Sequence, residues 1–478
     1  MASLFTPGGT IMAHRRTWVL ALAAIASLMT ALDALVVSAS LTTIQTDLGA
    51  TAEQLEWTVN SYNLVMAVLL MPAAALGDRY GRRRMFAAGM ALFTAASAVC
   101  AAAPDVVVLV LGRAVQGAGA AFVTALAMTL VSAAFPPERR GSAIGFLQGG
   151  SGIAVLAGPG LGGAITHTVG WEFVFWLNVP IGLVVLPLIL AKCDESRGAD
   201  TALDVRGLLL VIGAVLGLVW ALARGNAEGW ASAEVLGAFA VGGAALAGFI
   251  AWERRAAEPM FPMRLLRSPG FVAGNVATAG LFASIFGGLF FYAQLLQTGL
   301  GLTPLQAGLG LVPWTSTLIV LGPLAGRLAD RIGNGPLIVT GLLTTAIGIA
   351  WVALIARPGM PYGELVAPFL VASIGGSMAL APTANAVLGA VPPADLGKAS
   401  GVNAMLRELG GVLGLAVFVA VFTGTGSYAS PAAFVDGFGP AMGTCAALVA
   451  LSAVAVVVRR RPTEAVGVIP VAREQAVP

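Results

Sequence analysis

The chain reads as long apolar stretches separated by short polar breaks. Windows bounded by charge or turn residues fall near 17–40, 54–76, 85–103, 106–134, 142–166, 173–192, 206–224, 233–252, 270–296, 305–326, 335–356, 364–389, 399–424 and 437–458. Each approaches or exceeds the roughly 20 apolar residues that a membrane-crossing helix needs. Fourteen transmembrane helices are therefore predicted, in an all-α integral membrane protein. No stretch between windows is longer than a short loop, so no separate water-soluble domain is expected. Composition agrees: 58% of residues are hydrophobic and 10% are charged, against about 25% charged in soluble domains. Arg15 and Arg16 ahead of the apolar run from Trp18 have the form of a secretory leader. That run continues to about Ser40 with no convincing cleavage site, so a retained first span is expected.

Charge changes the picture by fixing orientation. With the N-terminus placed inside, 22 Lys and Arg fall on the inner side, while Arg224 and Arg357 fall outside and Arg113 and Arg407 within spans. Such asymmetry predicts both termini in the cytoplasm. The 26 basic and 23 acidic residues are too balanced to suggest nucleic acid. Basic residues other than Lys192 and Lys398 are Arg, which together with abundant Ala and Gly points to a GC-rich bacterial genome. Cys100, Cys193 and Cys445 have neither the number nor the spacing of a disulfide framework or a metal site. His14 and His167 fall at span ends and complete no catalytic cluster.

Two patterns recur. Leu76-Gly77-Asp78-Arg79-Tyr80-Gly81 is echoed by Leu328-Ala329-Asp330-Arg331-Ile332-Gly333 at an offset of 252. Pro136-Pro137 with Gly141, Ala143 and Gly145 is echoed by Pro392-Pro393 with Gly397, Ala399 and Gly401 at an offset of 256. Like-ordered matches at nearly one offset indicate a duplicated half, with spans 1–6 corresponding to 9–14 and spans 7 and 8 inserted. The expected divisions are 1–192 (first six-helix half), 193–267 (central linker with two extra spans), 268–461 (second half) and 462–478 (cytoplasmic tail). Two parallel repeats with a substrate path between them is a transporter plan.

The segment Asp78 to Arg84 is in part a positive-inside anchor, but its Asp-Arg-x-Gly core suggests more. A carboxylate beside a Gly turn and a basic cluster suits a contact with a neighbouring helix end that breaks as the halves rock. Here the sequence resembles the major facilitator superfamily, specifically its fourteen-span drug:proton antiporter branch, over essentially the whole chain. The family's inner-loop motif is matched from Gly77 to Arg84, with Ala74 where Gly is usual. Arg113, Gln116, Gly117 and Gly119 are similar to its span 4 pattern. Gly145 and Gly158-Pro159-x-x-Gly162-Gly163 are similar to the antiporter motif of span 5, with Ala154 replacing one Gly. Asn178, Pro180 and Gly182 opening span 6 also look like this branch. The resemblance implies gating roles for Gly77, Asp78, Arg79, Gly81, Arg82, Gly158, Pro159, Gly162 and Gly163, and by the repeat for Asp330 and Arg331. Gly158, Gly160 and Gly163 also satisfy G-x-G-x-x-G. That dinucleotide fingerprint needs a preceding strand in a βαβ unit, whereas here the glycines lie in an apolar span. No phosphate-binding Gly-Lys-Ser/Thr loop occurs, since Gly397-Lys398 runs into Ala399. No cofactor is expected, and a proton gradient is left as the energy source.

Charge inside hydrocarbon costs at least about 2.5 kcal/mol per group, so ionisable residues within spans are functional pointers. Asp33 lies about seven residues from the outer end of span 1 and Arg113 about seven from that of span 4. At 1.5 Å per residue both are roughly 10 Å deep, where they can pair. A permanent ion pair that fixes packing is the plainer reading. The other is a proton site that changes as the pair opens, and the resemblance supports it, because Asp33 matches the acidic residue of the family's span 1 motif and Arg113 the span 4 arginine associated with proton coupling. Glu408 falls near the midplane of span 13, a place for a second proton or a cationic substrate, with Arg407 beside it but about 100° round the helix. Trp57, Asn60, Tyr62, Gln148, Tyr292, Gln294, Trp314, Asn385, Asn403 and Arg407 are substrate-binding candidates, although each alone suits an interhelical or interfacial role. The expected function is proton-coupled export of small amphipathic or cationic compounds across a bacterial cytoplasmic membrane, by a monomer working through alternating access. A dedicated exporter of one endogenous metabolite or antibiotic is the alternative, and a non-transport membrane protein a distant third.

Overall fold

The computed structural model describes residues 7–135, 160–197, 204–257, 259, 261–392 and 395–459, with isolated residues between 143 and 158. Among them there are helices and no strands. The first bundle comprises α1 (Pro7–Leu48), α2 (Ala52–Tyr80), α3 (Arg82–Ala101), α4 (Val106–Ala134), α5 (160–168), and α6 (Glu172–Trp176) with α7 (Asn178–Lys192), which meet at Leu177. Two central helices follow, α8 (Val205–Glu228) and α9 (Ala233–Glu253). The second bundle holds α10 (Pro269–Gln294, ending in a π turn at Leu295–Gly299), α11 (Pro304–Gly310), α12 (Val312–Ile332), α13 (Asn334–Ile355), α14 (Gly363–Gly389), α15 (Leu396–Thr425) and α16 (Pro431–Arg459).

Eleven described helices are long and apolar enough to cross a membrane, and α2, bent by 50° between Leu70 and Pro72, makes a twelfth. A proline inside the helix removes a backbone donor and crowds the preceding turn, which accounts for the bend. About half of the predicted window 142–166 lies outside the described residues, and the window 305–326 is built in two pieces, α11 and α12, broken at Leu311. The count is compatible with fourteen spans. One predicted loop is nearly absent: α2 runs through Asp78 and Arg79 to Tyr80, and α3 begins at Arg82, so only Gly81 separates them. With φ at 110°, Gly81 takes a backbone conformation that other residues rarely adopt.

The repeat is visible in the packing. In the first bundle α4 packs against α1, α2 and α3, and α7 against α1 and α3. In the second, α14 packs against α10, α12 and α13, and α16 against α10 and α13. The two bundles meet where α2 lies along α15 and where α1 touches α10 and α11. Paired with α9, α8 closes the side of this seam by packing on α2 and α15. Asn226 of α8 donates to Thr423 Oγ1 at 2.9 Å and also to the Ala420 carbonyl of α15.

Candidate functional site

The most completely built polar site lies inside the first bundle. Asp33 on α1 and Arg113 on α4 are 2% and 1% exposed, and Arg113 Nη1 donates to Asp33 Oδ2. Asp33 Oδ1 accepts from Gln116 Nε2 at 2.8 Å and from Asn178 Nδ2 at 2.7 Å. Gln116 also donates to Ser97 Oγ at 2.8 Å and accepts from Arg113 at 2.7 Å. Arg113 Nε reaches the Thr58 carbonyl of α2 at 3.2 Å. Its guanidinium carbon lies 4.1 Å from the centre of the Tyr62 ring and 5.7 Å from that of Phe175, within the range of a cation–π contact. Tyr62 is anchored by its hydroxyl, which donates to the Thr30 carbonyl at 3.2 Å.

The local sequence explains this convergence. A Cβ on Gly117 would stand 2.3 Å from the Tyr62 carbonyl oxygen, so only glycine lets α4 approach α2 this closely. Arg113 and Gln116, three residues apart, share one face of α4 and meet Asp33 together. Two charges taken out of water are tolerated here because both carboxylate oxygens and the guanidinium are hydrogen-bonded. Gln116 and Asn178 entered the sequence reading only through family motifs, and Thr58 and Ser97 did not enter at all. No periodicity signals their convergence, because they come from four different helices.

The other predicted site residues distribute as follows. Glu408 is 6% exposed and pairs with Arg407, whose Nε lies 2.9 Å from Glu408 Oε1. Their Cα positions diverge round α15, but the long Arg side chain folds back over the Phe282 ring, at 5.3 Å, and closes the pair. Asn60 donates to Glu56 Oε1 at 3.0 Å and to the Val412 carbonyl of α15 at 3.4 Å. Tyr62 belongs to the Asp33 network. Trp57 faces Trp220 of α8, with centroids 6.4 Å apart, toward the central pair. Between α2, α4, α8 and α9 lies an apolar cavity of about 810 Å³ bordered by Trp57, Val110, Leu111, Trp220 and Val241. Tyr292 and Trp314 stack edge to face at 5.6 Å, and Tyr292 lies in an aromatic core with Phe369 and Phe438. Gln294 accepts from the Tyr428 hydroxyl. Asn403 ties α15 to α10 through Asn275 and Thr278, both at 3.1 Å, and Asn385 is exposed on α14. Gln148 and Pro159 lie outside the described residues.

Among the predicted gating residues, Gly77 packs against Leu126 of α4, and Asp78 Oδ1 accepts from Arg82 Nε at 2.7 Å across the Gly81 break. Arg79 lies over the ring of Tyr80 at 5.6 Å. The partner of this motif is the segment after α7. Arg83 N donates to Glu195 Oε1 at 3.0 Å, and Arg82 N to the Ser196 carbonyl at 2.8 Å. Glu195 thus sits at the N-terminus of α3, where a carboxylate is favoured by the helix dipole. Burial pushes the neighbouring Cys193 thiol up to about 11, Asp194 adding to the shift and Arg83 opposing it. Gly158 and Gly162 pack against Leu35 and Val36 of α1, and Gly163 against the Pro304 carbonyl of α11. Arg331 is exposed at the end of α12, and the Asp330 side chain lies outside the described ones.

A two-bundle helical chain with a buried Asp–Arg pair and a seam between its halves has the architecture of a membrane transporter. The sequence matches the Major Facilitator Superfamily over residues 23–414 and 276–477, and the chain belongs to that family. It is 36% identical to the tetracenomycin C resistance and export protein of Streptomyces glaucescens, over 84% of this chain and 75% of that one. Identity to the multidrug resistance protein Stp of Mycobacterium tuberculosis (strain CDC 1551 / Oshkosh) is 35%, over 82% of this chain and 73% of the other. The cephamycin export protein CmcT of Amycolatopsis lactamdurans is 34% identical over 98% of both chains. Among solved structures, a bacterial homologue of the human lysosomal transporter Spinster, inward-facing and occupied, superposes with a TM-score of 0.69 at 15% identity, over 93% of this chain and 96% of that one. A peptide transporter, POT, in complex with sulfate gives 0.68 at 16% identity, over 92% and 94%. These confirm the fold. The protein is a multi-pass membrane transporter of a small molecule, of the drug-efflux type within its family.

Proposed function

We propose that this protein is a proton-coupled antiporter that exports a small amphipathic or cationic compound across a bacterial cytoplasmic membrane, with both termini in the cytoplasm. The observation that carries the reading is the buried Asp33–Arg113 pair, ringed by Gln116, Asn178, Thr58 and Tyr62. A buried carboxylate held by a cation and two amide donors is closed to water until a helix moves. Protonation of Asp33 from outside frees Arg113 from its counter-ion. Because Arg113 also holds the α2 backbone at Thr58, the change in charge is passed to the helix that lies along α15. Substrate taken up from the inner side is released outward in the same transition. An inward proton movement gains about 2.3 kcal/mol for each charge at 100 mV, which serves to concentrate substrate outside. Glu408, a buried acid on α15, is the second candidate for a proton or a cationic substrate. The expected division of the chain at 192, 267 and 461, and a monomeric state, belong to this reading.

A second reading, a dedicated exporter of one endogenous antibiotic, is favoured by the relatives named for tetracenomycin C and cephamycin. One experiment separates them: efflux of a cationic dye from loaded cells, wild type against Asp33→Asn, with and without a protonophore. The expected result is protonophore-sensitive efflux that Asp33→Asn abolishes while the variant still inserts. Full efflux in the variant would refute the proton-site assignment. A wild type that moves no dye but exports an antibiotic of its source organism establishes the dedicated reading.

A further inference from the structure

On the opposite side of the same turn of α2, at the seam between the bundles, lies a carboxylate for which the Asp33 mechanism has no use. Glu56 is 0% exposed. Its Oε1 accepts from Asn60 Nδ2 at 3.0 Å, but Oε2 is buried with no hydrogen-bond partner, and Asn60 Oδ1 is likewise buried and unpartnered. The same Asn60 amide donates to the Val412 carbonyl of α15 at 3.4 Å, so the pair lies on the contact between the two halves.

On α2 itself, Glu53 is one turn away and within 3.9 Å of Arg224 of α8. That arginine is also held by Glu228 at 2.9 Å and Glu234 at 3.2 Å. On α15, Glu408 lies one turn inward of Val412 and is paired with Arg407. From the loop after α15, Tyr428 donates to Gln294. Burial raises the Tyr428 hydroxyl, and the bond to Gln294 opposes this. No cation lies within 4.0 Å of Glu56 among the described residues.

An ionised carboxylate buried with neither a cation nor a donor on one oxygen costs several kcal/mol, and such a group neutralises instead. The Glu56–Asn60 pair holds two acceptor atoms without a donor, and one proton on Oε2 supplies it. We propose that Glu56 is a further proton-binding group, one that takes its proton from water as α2 closes on α15 and returns it to water when the helices part. In closing, an O–H bond forms at Oε2 and one hydronium proton is consumed; in opening, that bond breaks and water at the opened seam receives the proton. The turn Glu56–Asn60 carries both contacts, Thr58 to Arg113 on one side and Asn60 to Val412 on the other. Closure of the seam is thereby linked to proton uptake at a place distinct from Asp33. The inference rests on the proton-driven reading given above, but its test needs neither substrate nor gradient.

The test uses the full chain in lipid nanodiscs, spin-labelled at Thr46→Cys and Pro358→Cys, both exposed and on opposite bundles. The ratio of closed to open molecules is followed against pH. By linkage, its logarithm changes with pH by the number of protons taken up on closing. The expected result is a closed fraction that grows as pH falls, with a slope lower by about one proton in Glu56→Gln and restored in Glu56→Asp. Infrared difference spectra of the closed state should contain a protonated-carboxyl carbonyl band, sensitive to deuterium oxide, that is absent in Glu56→Gln. An unchanged slope in Glu56→Gln, or no band lost, overturns the proposal. Should Glu56→Gln fail to insert, the band must shift in Glu56→Asp, and a band that stays in place overturns it equally. Asp33→Asn efflux and this titration fail independently, so loss of one reading leaves the other measurable.

Discussion

At the scale of single residues, the site is a matter of compensation. Arg113 has one carboxylate to neutralise it and one backbone carbonyl, Thr58, to fix its direction. Removing one member of a buried ion pair costs about 3–5 kcal/mol, because the other is left uncompensated. Arg113→Gln alone is therefore expected to lower unfolding stability by about that much. The double variant Asp33→Asn with Arg113→Gln should recover most of the loss, while neither exports. Thermal melting in detergent alongside dye efflux checks this, and additive losses in the double variant would show that the pair is not coupled. Asp33 and Arg113 were legible in the sequence because charge inside an apolar span is conspicuous and their depths agree. Glu56 was not legible. It lies within five residues of the start of α2, where an acid reads as an interfacial or dipole-capping residue. The Glu56–Asn60 spacing of one helical turn is the signal that separates it from Glu53 in the first turn of the helix.

At the scale of elements, the turn between α2 and α3 shows what a sequence motif can and cannot convey. The Asp-Arg-x-Gly run reads as a loop because charges and glycine cluster there. In the structure the charges are helical, and glycine alone makes the corner. Gly81 combines a φ of 110° with a position where a Cβ would stand 2.7 Å from the Glu195 carboxylate. Gly81→Ala meets both obstacles, backbone strain of about 1–3 kcal/mol and displacement of the Glu195 side chain from the N-terminus of α3. A drop in stability of that order is expected, and Glu195→Ala in the same background should relieve the crowding but leave the strain. Melting of the two variants separates the contributions. The partner segment, Asp194 to Ser196, could not be foreseen, because it is brought to α3 by the packing of α7 and by no local pattern.

At the scale of the whole molecule, the duplication read from two motif offsets reappears as the same packing pattern in both bundles. The place of α8 and α9 was not readable, since apolar helices carry no label for their neighbours. It is set by the seam, where Asn226 bonds α15 and Trp220 meets Trp57 of α2. On the side of the seam predicted to face outward, two further contacts join α1 and α5 to the second bundle. Gln297 Nε2 donates to the Ala39 carbonyl of α1 at 3.1 Å, and Gly163 of α5 lies against α11, where a Cβ would stand 2.2 Å from the Pro304 carbonyl oxygen. Backbone oxygen cannot give way as a flexible side chain does, so a larger residue at Gly163 must hold the bundles apart. The outer-side core is shared, Val36, Val37 and Leu41 of α1 clustering with Phe290, Leu296 and Ala307 of the second bundle, so holding the bundles apart exposes part of it. Gly163→Leu is therefore expected to lengthen the Thr46–Pro358 separation at every pH, to abolish efflux, and to lower the melting temperature below that of the wild type. Glu56→Gln in the same background should then have no further effect on the pH slope, because a seam that never closes takes up no proton there. An unchanged separation in Gly163→Leu with efflux intact would mean that this contact is passed over in the transport cycle, and that closure is carried by the contacts of α1 with α10 and of α2 with α15.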